Sequence, residues 1–363
     1  MNIQEILKEA IKKSASDIHL KVGMPPIIRK HGKLQKINAS ATKLTSEDMI
    51  KIMEIISQPK DQKSFEKGFD LDIAYSLPQV GRFRVSLTKQ RGSTRIVFRL
   101  VNFKIPSISE LQLPSLLEKI ALKERGLILV TGATGSGKTS TLVSMLNHIN
   151  HNKNKHILTL ENPIEYLIRD YKSIITQREV GTDVQSFKMG LRSALRQDPD
   201  VLFIGELRDM ESIEIALTAS STGHLVLASI HSTSAKDSIT RILSEFPKEK
   251  QNYITTILAH NLKAIISLRL CKKKDKSGVV PATEILINNS RVQELILENR
   301  LFELESSMEE HAATYGSKTF NQSLFELLDK DLIDFEEAKK MSTNANEFKL
   351  KFSKKNTNDD FIL

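Results

Sequence analysis

Cysteine is almost absent from this 363-residue chain, in which Cys271 is the only one. A single cysteine excludes an internal disulfide and a cysteine-based zinc site. Long apolar runs are missing too: the longest have the length of a strand, well below the ~20 residues that span a bilayer. The first residues have neither the basic nor the apolar region of a signal peptide. These absences predict a cytoplasmic protein.

Acidic residues are in deficit, with 44 Asp and Glu against 53 Lys and Arg, which gives a net charge of +9. Such an excess permits attraction to nucleic acid or to an anionic membrane. Much of it lies in two short lysine clusters, 272–274 and 354–355, that have no interleaved aromatic residues. We interpret these clusters as solvent-exposed loops, and we expect no nucleic-acid partner.

The chain is long enough for two or three domains, each with its own core. Residues 1–101 mix helical and strand patterns and predict an α+β domain. Residues 102–114 contain two prolines and predict a linker. Apolar strands separated by helical segments predict a doubly wound α/β sheet in residues 115–290. The spacing is helical in residues 291–350, and the composition of 351–363 predicts a disordered tail.

A glycine-rich segment, 132–139, fits the phosphate-binding pattern G-x-x-x-x-G-K-[ST] at every position. The patterns predict a buried strand before it, at 126–131, and a helix after it, which is the order that such a loop requires. Glycines let backbone N–H groups approach phosphate oxygens, and a helix N-terminus favours an anion. The predicted ATP-binding residues are Gly132, Ala133, Thr134, Gly135, Ser136, Gly137, Lys138, Thr139 and Ser140.

Hydrolysis of ATP also requires a metal ligand, a carboxylate that positions water, and a cation near the γ-phosphate. We expect Lys138 to bind the β- and γ-phosphates and the Thr139 hydroxyl to ligate Mg²⁺. Glu165 and Glu206 each follow an apolar strand of the same predicted sheet. Ionised carboxylates there are unfavourable unless they face a metal, water or a cation, so we interpret both as site residues rather than helix-start carboxylates.

Two alternating segments in the first domain, 82–87 and 94–100, predict a β-hairpin with a basic face and an apolar face. The basic face is either an exposed sheet surface or a set of guanidinium groups offered to a neighbouring subunit's nucleotide. The spacing alone does not decide between the two. The residues are Arg82, Arg84, Arg95 and Arg99 on one face, and Phe83, Val85, Ile96 and Phe98 on the other.

Four motifs in order resemble those of the secretion ATPase superfamily. Segments 132–139, 160–165, 191–209 and 222–231 are similar to its Walker A motif, Asp box, Walker B motif and His box. The segment SDIHL at 16–20, followed by GMPP, resembles the start of the type IV pilus retraction ATPases of the PilT/PilU kind. The resemblance to that group covers nearly the whole chain.

The resemblance implies a homohexameric ring with ATP bound between subunits. Each subunit would join a PAS-like N-terminal domain to a RecA-like ATPase domain. Rings of this kind lie on the cytoplasmic side of the inner membrane at the pilus base and return pilin subunits to the bilayer in twitching motility. The implied partners are further copies of this chain, an inner-membrane platform protein and a paired retraction ATPase.

Matching positions carry the family's roles over to single residues. Glu206 takes the place of the Walker B carboxylate and would ligate Mg²⁺ with Thr139, and Glu165 takes the place of the base that activates water. Two histidines would sense the γ-phosphate, and three arginines of the N-terminal domain would reach a neighbour's ATP. These residues are His224 and His231, and Arg82, Arg84 and Arg91.

Two departures from the family pattern bear on activity. Asn162 stands where the Asp box usually has an aspartate, which removes a negative charge near the metal. The segments 291–297, 320–326 and 344–351 look closer to PilU, the accessory member, than to the main retraction motor. Three alternatives stay open: a pilus-assembly or type II secretion ATPase, which usually has a four-cysteine zinc subdomain; an ATP-binding ring with little turnover; and a nucleic-acid translocase, suggested only by the charge.

Overall fold

The computed structural model describes residues 2–30, 32–38, 40–68, 70–78, 80–101 and 104–359. The chain divides into two compact units. The first comprises Met1–Lys104 with Pro163–Leu167, and the second comprises Ile105–Asn162 with Ile168–Leu363. Residues 102 and 103 of the predicted linker lie outside the described residues.

Within its described residues, the first unit is built from an antiparallel sheet and three helices. Its elements are α1 (Ile3–Lys12), β1 (Asp17–Lys21), β2 (Ile27–Lys30), β3 (Lys33–Lys36), α2 (Ser46–Ile56), α3 (Pro59–Glu66), β4 (Leu71–Leu77), β5 (Gly81–Gln90) and β6 (Ser93–Leu100). The strands follow the order β3-β2-β1-β6-β5-β4, and every neighbouring pair is antiparallel. One apolar core lies between the sheet and the helices.

Local sequence signals set the ends of elements in this unit. α2 begins at a capping box, in which Thr45 and Asp48 each accept a hydrogen bond from the other's backbone N–H. The predicted hairpin is confirmed as β5 and β6, joined by Arg91 and Gly92, whose φ angles of 50° and 75° suit a two-residue turn. The four apolar side chains of its predicted inner face are fully buried.

The second unit contains a seven-stranded sheet flanked by helices. Its elements up to the last strand are α4 (Leu116–Ala121), β7 (Gly126–Gly132), α5 (Lys138–Asn152), β8 (His156–Glu161), β9 (Ile174–Glu179), α6 (Phe187–Ala194), β10 (Val201–Ile204), α7 (Met210–Ser221), β11 (Leu225–Ile230), α8 (Ala235–Ser244), α9 (Lys248–Asn261), β12 (Leu262–Lys272) and β13 (Val279–Ile287). Helices follow: α10 (Ser290–Leu297), a 3₁₀ turn (Leu301–Glu303), α11 (Leu304–Glu310), α12 (Ala312–Tyr315), α13 (Phe320–Asp329), α14 (Phe335–Met341) and α15 (Ala345–Asp359). None of the helices in the described ranges has the length and apolar character needed to cross a bilayer.

The glycine-rich loop leaves the sheet near its centre. The strand order is β13-β12-β7-β11-β10-β8-β9, and β7, β11, β10 and β8 run parallel to one another. All residues of β7 are buried, as expected of a strand that is covered on both faces. Because the carboxyl ends of parallel strands meet at one edge, the segments that follow β7, β10 and β11 lie together there.

The four predicted parallel strands are confirmed, but the sequence patterns do not predict β9, β12 and β13. β12 starts at Leu262 directly after α9 ends at Asn261, so no turn residues mark the boundary. β13 pairs antiparallel with β12, which makes the sheet mixed rather than wholly parallel.

Helices dominate after β13, as predicted from residue 291 onward. The last helix, α15, begins at Ala345 and continues to Asp359, into the segment 351–363 for which the composition predicts a disordered tail; residues 360–363 lie outside the described residues, and disorder of the tail stays a prediction. Aromatic rings pack between α15, α13 and α14, with ring centroids 4.7 to 6.3 Å apart. The rings belong to Phe325, Phe335, Phe348 and Phe352.

Candidate active site

The loop after β7 takes a shape that only glycine allows at its first position. Gly132 has a φ of 146°, and a Cβ there would lie 2.4 Å from Ser136 Oγ and 2.7 Å from the backbone oxygen of Leu268. A larger residue would therefore displace the loop. Gly137 has a φ of 93° and is the N-cap of α5, so the chain turns sharply from the loop into the helix.

Polar groups at the start of α5 are available to an anion. The N-cap, Gly137, has no side chain to accept hydrogen bonds from the N–H groups of the first turn. The Ser136 hydroxyl oxygen is buried, and the described residues offer it no hydrogen-bond partner. These groups and the helix dipole suit phosphate oxygens. The residues present at 132–140 therefore fit the phosphates of a nucleotide.

Lys138 is the first residue of α5, and its ammonium group lies within the loop. Nζ donates to the backbone oxygens of Gly132 at 2.9 Å and Ala133 at 3.0 Å. Nζ also lies 3.4 Å from Nδ1 of His231, the residue that follows β11. The side chain is nearly buried, so its charge is held where phosphate oxygens would replace carbonyl oxygens as acceptors.

A histidine and a carboxylate continue the chain of contacts from Lys138. Nε2 of His231 lies 2.9 Å from Oε1 of Glu206, and Oε2 of Glu206 accepts from Nε of Arg208 at 2.5 Å. This geometry suits a neutral imidazole that donates from Nε2 to Glu206 and accepts at Nδ1 from Lys138. Three of the predicted site residues thus lie in one hydrogen-bonded chain at the carboxyl edge of the sheet.

Thr139 and Glu206 are the predicted ligands of Mg²⁺. Thr139 is in the first turn of α5, and Glu206 belongs to the hydrogen-bonded chain that includes Lys138. Within the described ranges, no three His, Cys, Asp or Glu side chains form a cluster that could hold a metal by themselves. The pair still fits Mg²⁺, because this ion is commonly bound through one or two protein oxygens together with substrate phosphates and water.

Glu165 is exposed and lies in the segment Pro163–Leu167, which belongs to the first unit. Its role as the base therefore stays a prediction. The carboxylate that ends β8 is Glu161, which is 2% exposed and accepts from Thr159 Oγ1 at 2.7 Å and Gln177 Nε2 at 3.0 Å. Sequence reasoning did not select Glu161, although its place at the end of an apolar strand is a usable signal.

The two predicted histidines lie at opposite ends of β11. His231 follows its carboxyl end, whereas His224 precedes its amino end, roughly 20 Å away at the usual rise per residue. Nδ1 of His224 lies 3.1 Å from the backbone oxygen of Ala219, in the last turn of α7. The fold brings His231, and not His224, to Lys138 of the same chain, and a γ-phosphate contact by His224 stays a prediction.

The candidate arginines belong to the first unit. Arg82 and Arg84 are on β5, and Arg84 lies 3.6 Å from Asp72 on β4. Arg91 occupies the turn between β5 and β6. Their action on the nucleotide of a neighbouring subunit stays a prediction.

Two arginines that the sequence patterns do not identify support the site. Arg208 donates to Glu206, and Arg241 on α8 donates from Nη1 to the backbone oxygen of His231 at 2.7 Å. A signal for Arg208 was present, since it lies two residues after Glu206 in the segment 191–209 that resembles the Walker B motif. Arg241 lies in a helix with no motif, so its contact with His231 depends on the packing of α8 alone.

The type II/IV secretion system protein family matches residues 1–351 of the chain. The chain belongs to this family. It is 38% identical over 339 residues to a Pseudomonas aeruginosa protein described as type IV pilus retractation ATPase PilT, which covers 93% of this chain and 97% of that one. It is 34% identical over 350 residues to the type IV pilus ATPase PilU of the same organism, which covers 96% and 91% of the two chains.

Among solved structures, this secretion system protein is similar to the pilus retraction motor PilT with bound ADP. The TM-score is 0.88, at 40% identity over 96% of this chain and 98% of that one. The similarity confirms the predicted fold, a RecA-like P-loop ATPase core with a smaller α+β part and a helical C-terminal region. The predicted resemblance to the PilT/PilU group is also confirmed, and the protein is a nucleotide-binding ATPase of this family.

Proposed function

We propose that this ATPase powers the retraction of type IV pili, and hence twitching motility, by hydrolysing ATP. The observation that carries the proposal is the chain of contacts from Lys138 through His231 to Glu206 beside the glycine-rich loop. It occurs in a protein that is 38% identical to one named for pilus retraction. In this proposal, the protein forms a homohexameric ring on the cytoplasmic face of the inner membrane. The ring acts there on a platform membrane protein.

The phosphate-binding groups come from one loop and one helix. The loop that starts at Gly132 and the first N–H groups of α5 would bind the phosphates. Lys138 would exchange the carbonyl oxygens of Gly132 and Ala133 for β- and γ-phosphate oxygens. Thr139 and Glu206 would hold Mg²⁺, which neutralises phosphate charge when it is bound.

The remaining predicted groups would position the attacking water and stabilise the charge on the transferring phosphate. Glu165 would orient the attacking water and accept its proton. His231 contacts Lys138 through one ring nitrogen and Glu206 through the other, so a change at Lys138 reaches Glu206 through a single imidazole. Positive charge from a neighbouring subunit would stabilise the transferring phosphate. The candidates for that charge are Arg82, Arg84 and Arg91, and a γ-phosphate contact by His224 is proposed on the same basis.

Replacing Lys138 by alanine tests the ATPase step. Removal of the ammonium group from the phosphate site should lower kcat/KM for ATP by about 10²-fold or more, measured as phosphate release by the purified protein. Lys172→Ala, an exposed position in the second unit, is the matched control and should hydrolyse ATP at the parental rate. Parental turnover by the Lys138→Ala protein would exclude this loop as the catalytic site.

Deletion of the gene tests the biological role. A strain without a retraction ATPase should keep its surface pili and lose twitching. The parental gene should restore twitching, and a gene that encodes Lys138→Ala should not. Loss of the pili themselves would indicate a pilus-assembly ATPase instead.

Asn162 favours a second candidate, an accessory ring of the PilU type with little turnover of its own. It is exposed after β8 and lacks the negative charge of the aspartate that is usual there. The overall identities of 38% and 34% to PilT and PilU are too similar to separate the two roles. Phosphate release should be measured with the chain alone and then with a purified PilT-type ring. Steady turnover by the chain alone would exclude this second candidate.

A further inference from the structure

A buried carboxylate lies outside the site and is bonded to the element that follows His231. Glu284 on β13 is 8% exposed, and its Oε1 accepts from the backbone N–H of Ala235 at 2.6 Å and from Ser267 Oγ at 3.1 Å. Ala235 is the first residue of α8. Glu284 therefore anchors the N-terminus of α8 by accepting the Ala235 N–H, which no residue of the helix itself can accept.

Helix α8 is connected to His231 and to the segment after it by several contacts. Ala235 comes four residues after His231, and Arg241 on α8 donates to the His231 backbone oxygen at 2.7 Å. In addition, the hydroxyl of Ser232, the residue after His231, lies 2.6 Å from the hydroxyl of Ser238 on α8. A shift of the first turn of α8 would therefore move the backbone that carries the His231 ring.

The other end of this connection leads to the strand before the glycine-rich loop. Glu284 is opposite Ser267 on β12, and Ser267 is paired with Thr131 on β7. Glu284 is thus linked through Ser267 to Thr131, the residue before Gly132. The bond from Glu284 to Ala235 sets α8, and with it His231, in a fixed relation to the strand that carries the phosphate-binding loop.

We propose that Glu284 is a positioning residue for ATP turnover, which holds His231 between Lys138 and Glu206 by anchoring the start of α8. The proposal rests on the proposed ATPase function of the same site. Among the described residues, Glu284 accepts hydrogen bonds from Ala235 and Ser267 and from none of the predicted catalytic groups, so it acts through α8. Since a hydrogen bond to an uncharged amide oxygen preserves the anchor, glutamine should substitute for glutamate.

Turnover measurements separate positioning from general stability. Glu284→Ala should lower kcat by about tenfold with less than about a twofold change in KM for ATP, because the phosphate-binding loop is untouched. Glu284→Gln should recover most of the lost kcat. Val280→Ala, a buried position on the same strand, should lower thermal stability but keep kcat. Parental kcat in Glu284→Ala, or equal loss in Val280→Ala, would overturn the proposal.

A donor-side variant tests the same bond if Glu284→Ala folds poorly. Ala235→Pro removes the backbone N–H that donates a hydrogen bond to Glu284, and proline is tolerated at the first position of a helix. It should lower kcat as Glu284→Ala does, and the double variant should be no slower than either one. Additive losses would show that the two changes act separately and would overturn the proposal.

Hydrogen exchange distinguishes failure of this inference from failure of the proposed function. Glu284→Ala should increase amide exchange in the segment 231–241, whereas Glu284→Gln and Val280→Ala should not. That result can be obtained even if the parental protein has no turnover, in which case the proposed function fails and the anchor stands. Unchanged amide exchange in Glu284→Ala would overturn the proposed anchor, whatever the rate of ATP turnover.

Discussion

His231 joins two charged side chains through its two ring nitrogens. Nδ1 lies 3.4 Å from Lys138 Nζ, and Nε2 lies 2.9 Å from Glu206 Oε1. An ammonium group can only donate and a carboxylate can only accept, so both partners favour the same tautomer of the neutral ring. Lys138 and Glu206 therefore orient the imidazole ring of His231 without any contact to a substrate.

Replacing His231 by alanine should separate binding from turnover. The glycine-rich loop and Lys138 remain in place, so KM for ATP should change by less than about threefold, while kcat falls by about 10²-fold. Steady-state phosphate release at several ATP concentrations gives both constants. His151→Ala, at an exposed position near the end of α5, is the control. A rise in KM with parental kcat would assign His231 to binding alone.

Burial raises the pKa of Glu284 from 4.5 to about 7, against the opposing effect of its bonds to Ala235 and Ser267. The folded protein therefore holds a proton that the unfolded chain releases. This contribution to stability is fully present below about pH 4.5 and is lost as the pH rises through about 7. Relative to Glu284→Gln, the parental free energy of unfolding should fall by about 3 kcal/mol across that interval.

Urea unfolding of both proteins at several pH values measures this difference. Glu249→Gln, an exposed position on α9, is the control and should follow the parental curve. A constant difference between the parent and Glu284→Gln would show that folding does not raise the pKa of Glu284.

The helix α15 is stabilised by contacts with other helices rather than by its own sequence. Its Phe348 is fully buried and stacks on Phe325 of α13 at 4.7 Å between ring centroids. Lys and Asn side chains are frequent in the segment that follows, which by composition alone predicts disorder. Burial of aromatic rings supplies the free energy that the composition does not.

Phe348→Ala should therefore destabilise the C-terminal region. Loss of a fully buried phenylalanine typically lowers the free energy of unfolding by about 4 kcal/mol. Thermal denaturation and limited proteolysis would show it, with early cleavage in α15. Leu350→Ala in the same helix is the control, since Leu350 is 65% exposed and its loss should change stability by less than about 0.5 kcal/mol. Equal effects of the two changes would contradict the packing role of Phe348.

The two units divide the predicted chemistry between them. The glycine-rich loop and the chain of contacts from Lys138 to Glu206 lie in the second unit, whereas the candidate arginines and Glu165 lie in the first. A ring of identical chains would let arginines of one subunit serve the nucleotide of the next. Subunit mixing tests that arrangement.

Rings mixed from two defective variants should regain part of the ATPase activity. One variant lacks Lys138, and the other has alanine in place of Arg82, Arg84 and Arg91. Each alone should be inactive, but a mixed ring pairs an intact loop with intact arginines on the neighbour. Phosphate release should therefore rise after dissociation and reassembly of the mixture. Continued inactivity of mixed rings, with parental rings recovering after the same treatment, would exclude action between subunits.

Motifs and strong periodic patterns were readable from the sequence because their physical cause is local. The two glycines, the lysine and the threonine of the segment 132–139 are needed for a backbone to wrap phosphate, and the strand before it, β7, is apolar because it is buried on both faces. β12 could not be predicted from the sequence patterns because no turn residues separate it from α9. The packing of α15 could not be predicted either, because the rings that contact Phe348 and Phe352 lie in other helices.

The order of amino acids is sufficient to predict a phosphate-binding loop after one buried strand, Glu206 after another, and a hairpin with an apolar and a basic face. The contact of Lys138 with His231 rather than His224 depends on the fold, as do the hydrogen bonds made by Arg208, Arg241 and Glu284. Short-range steric and hydrophobic patterns act along the chain, whereas hydrogen bonds between distant residues depend on strand order and register.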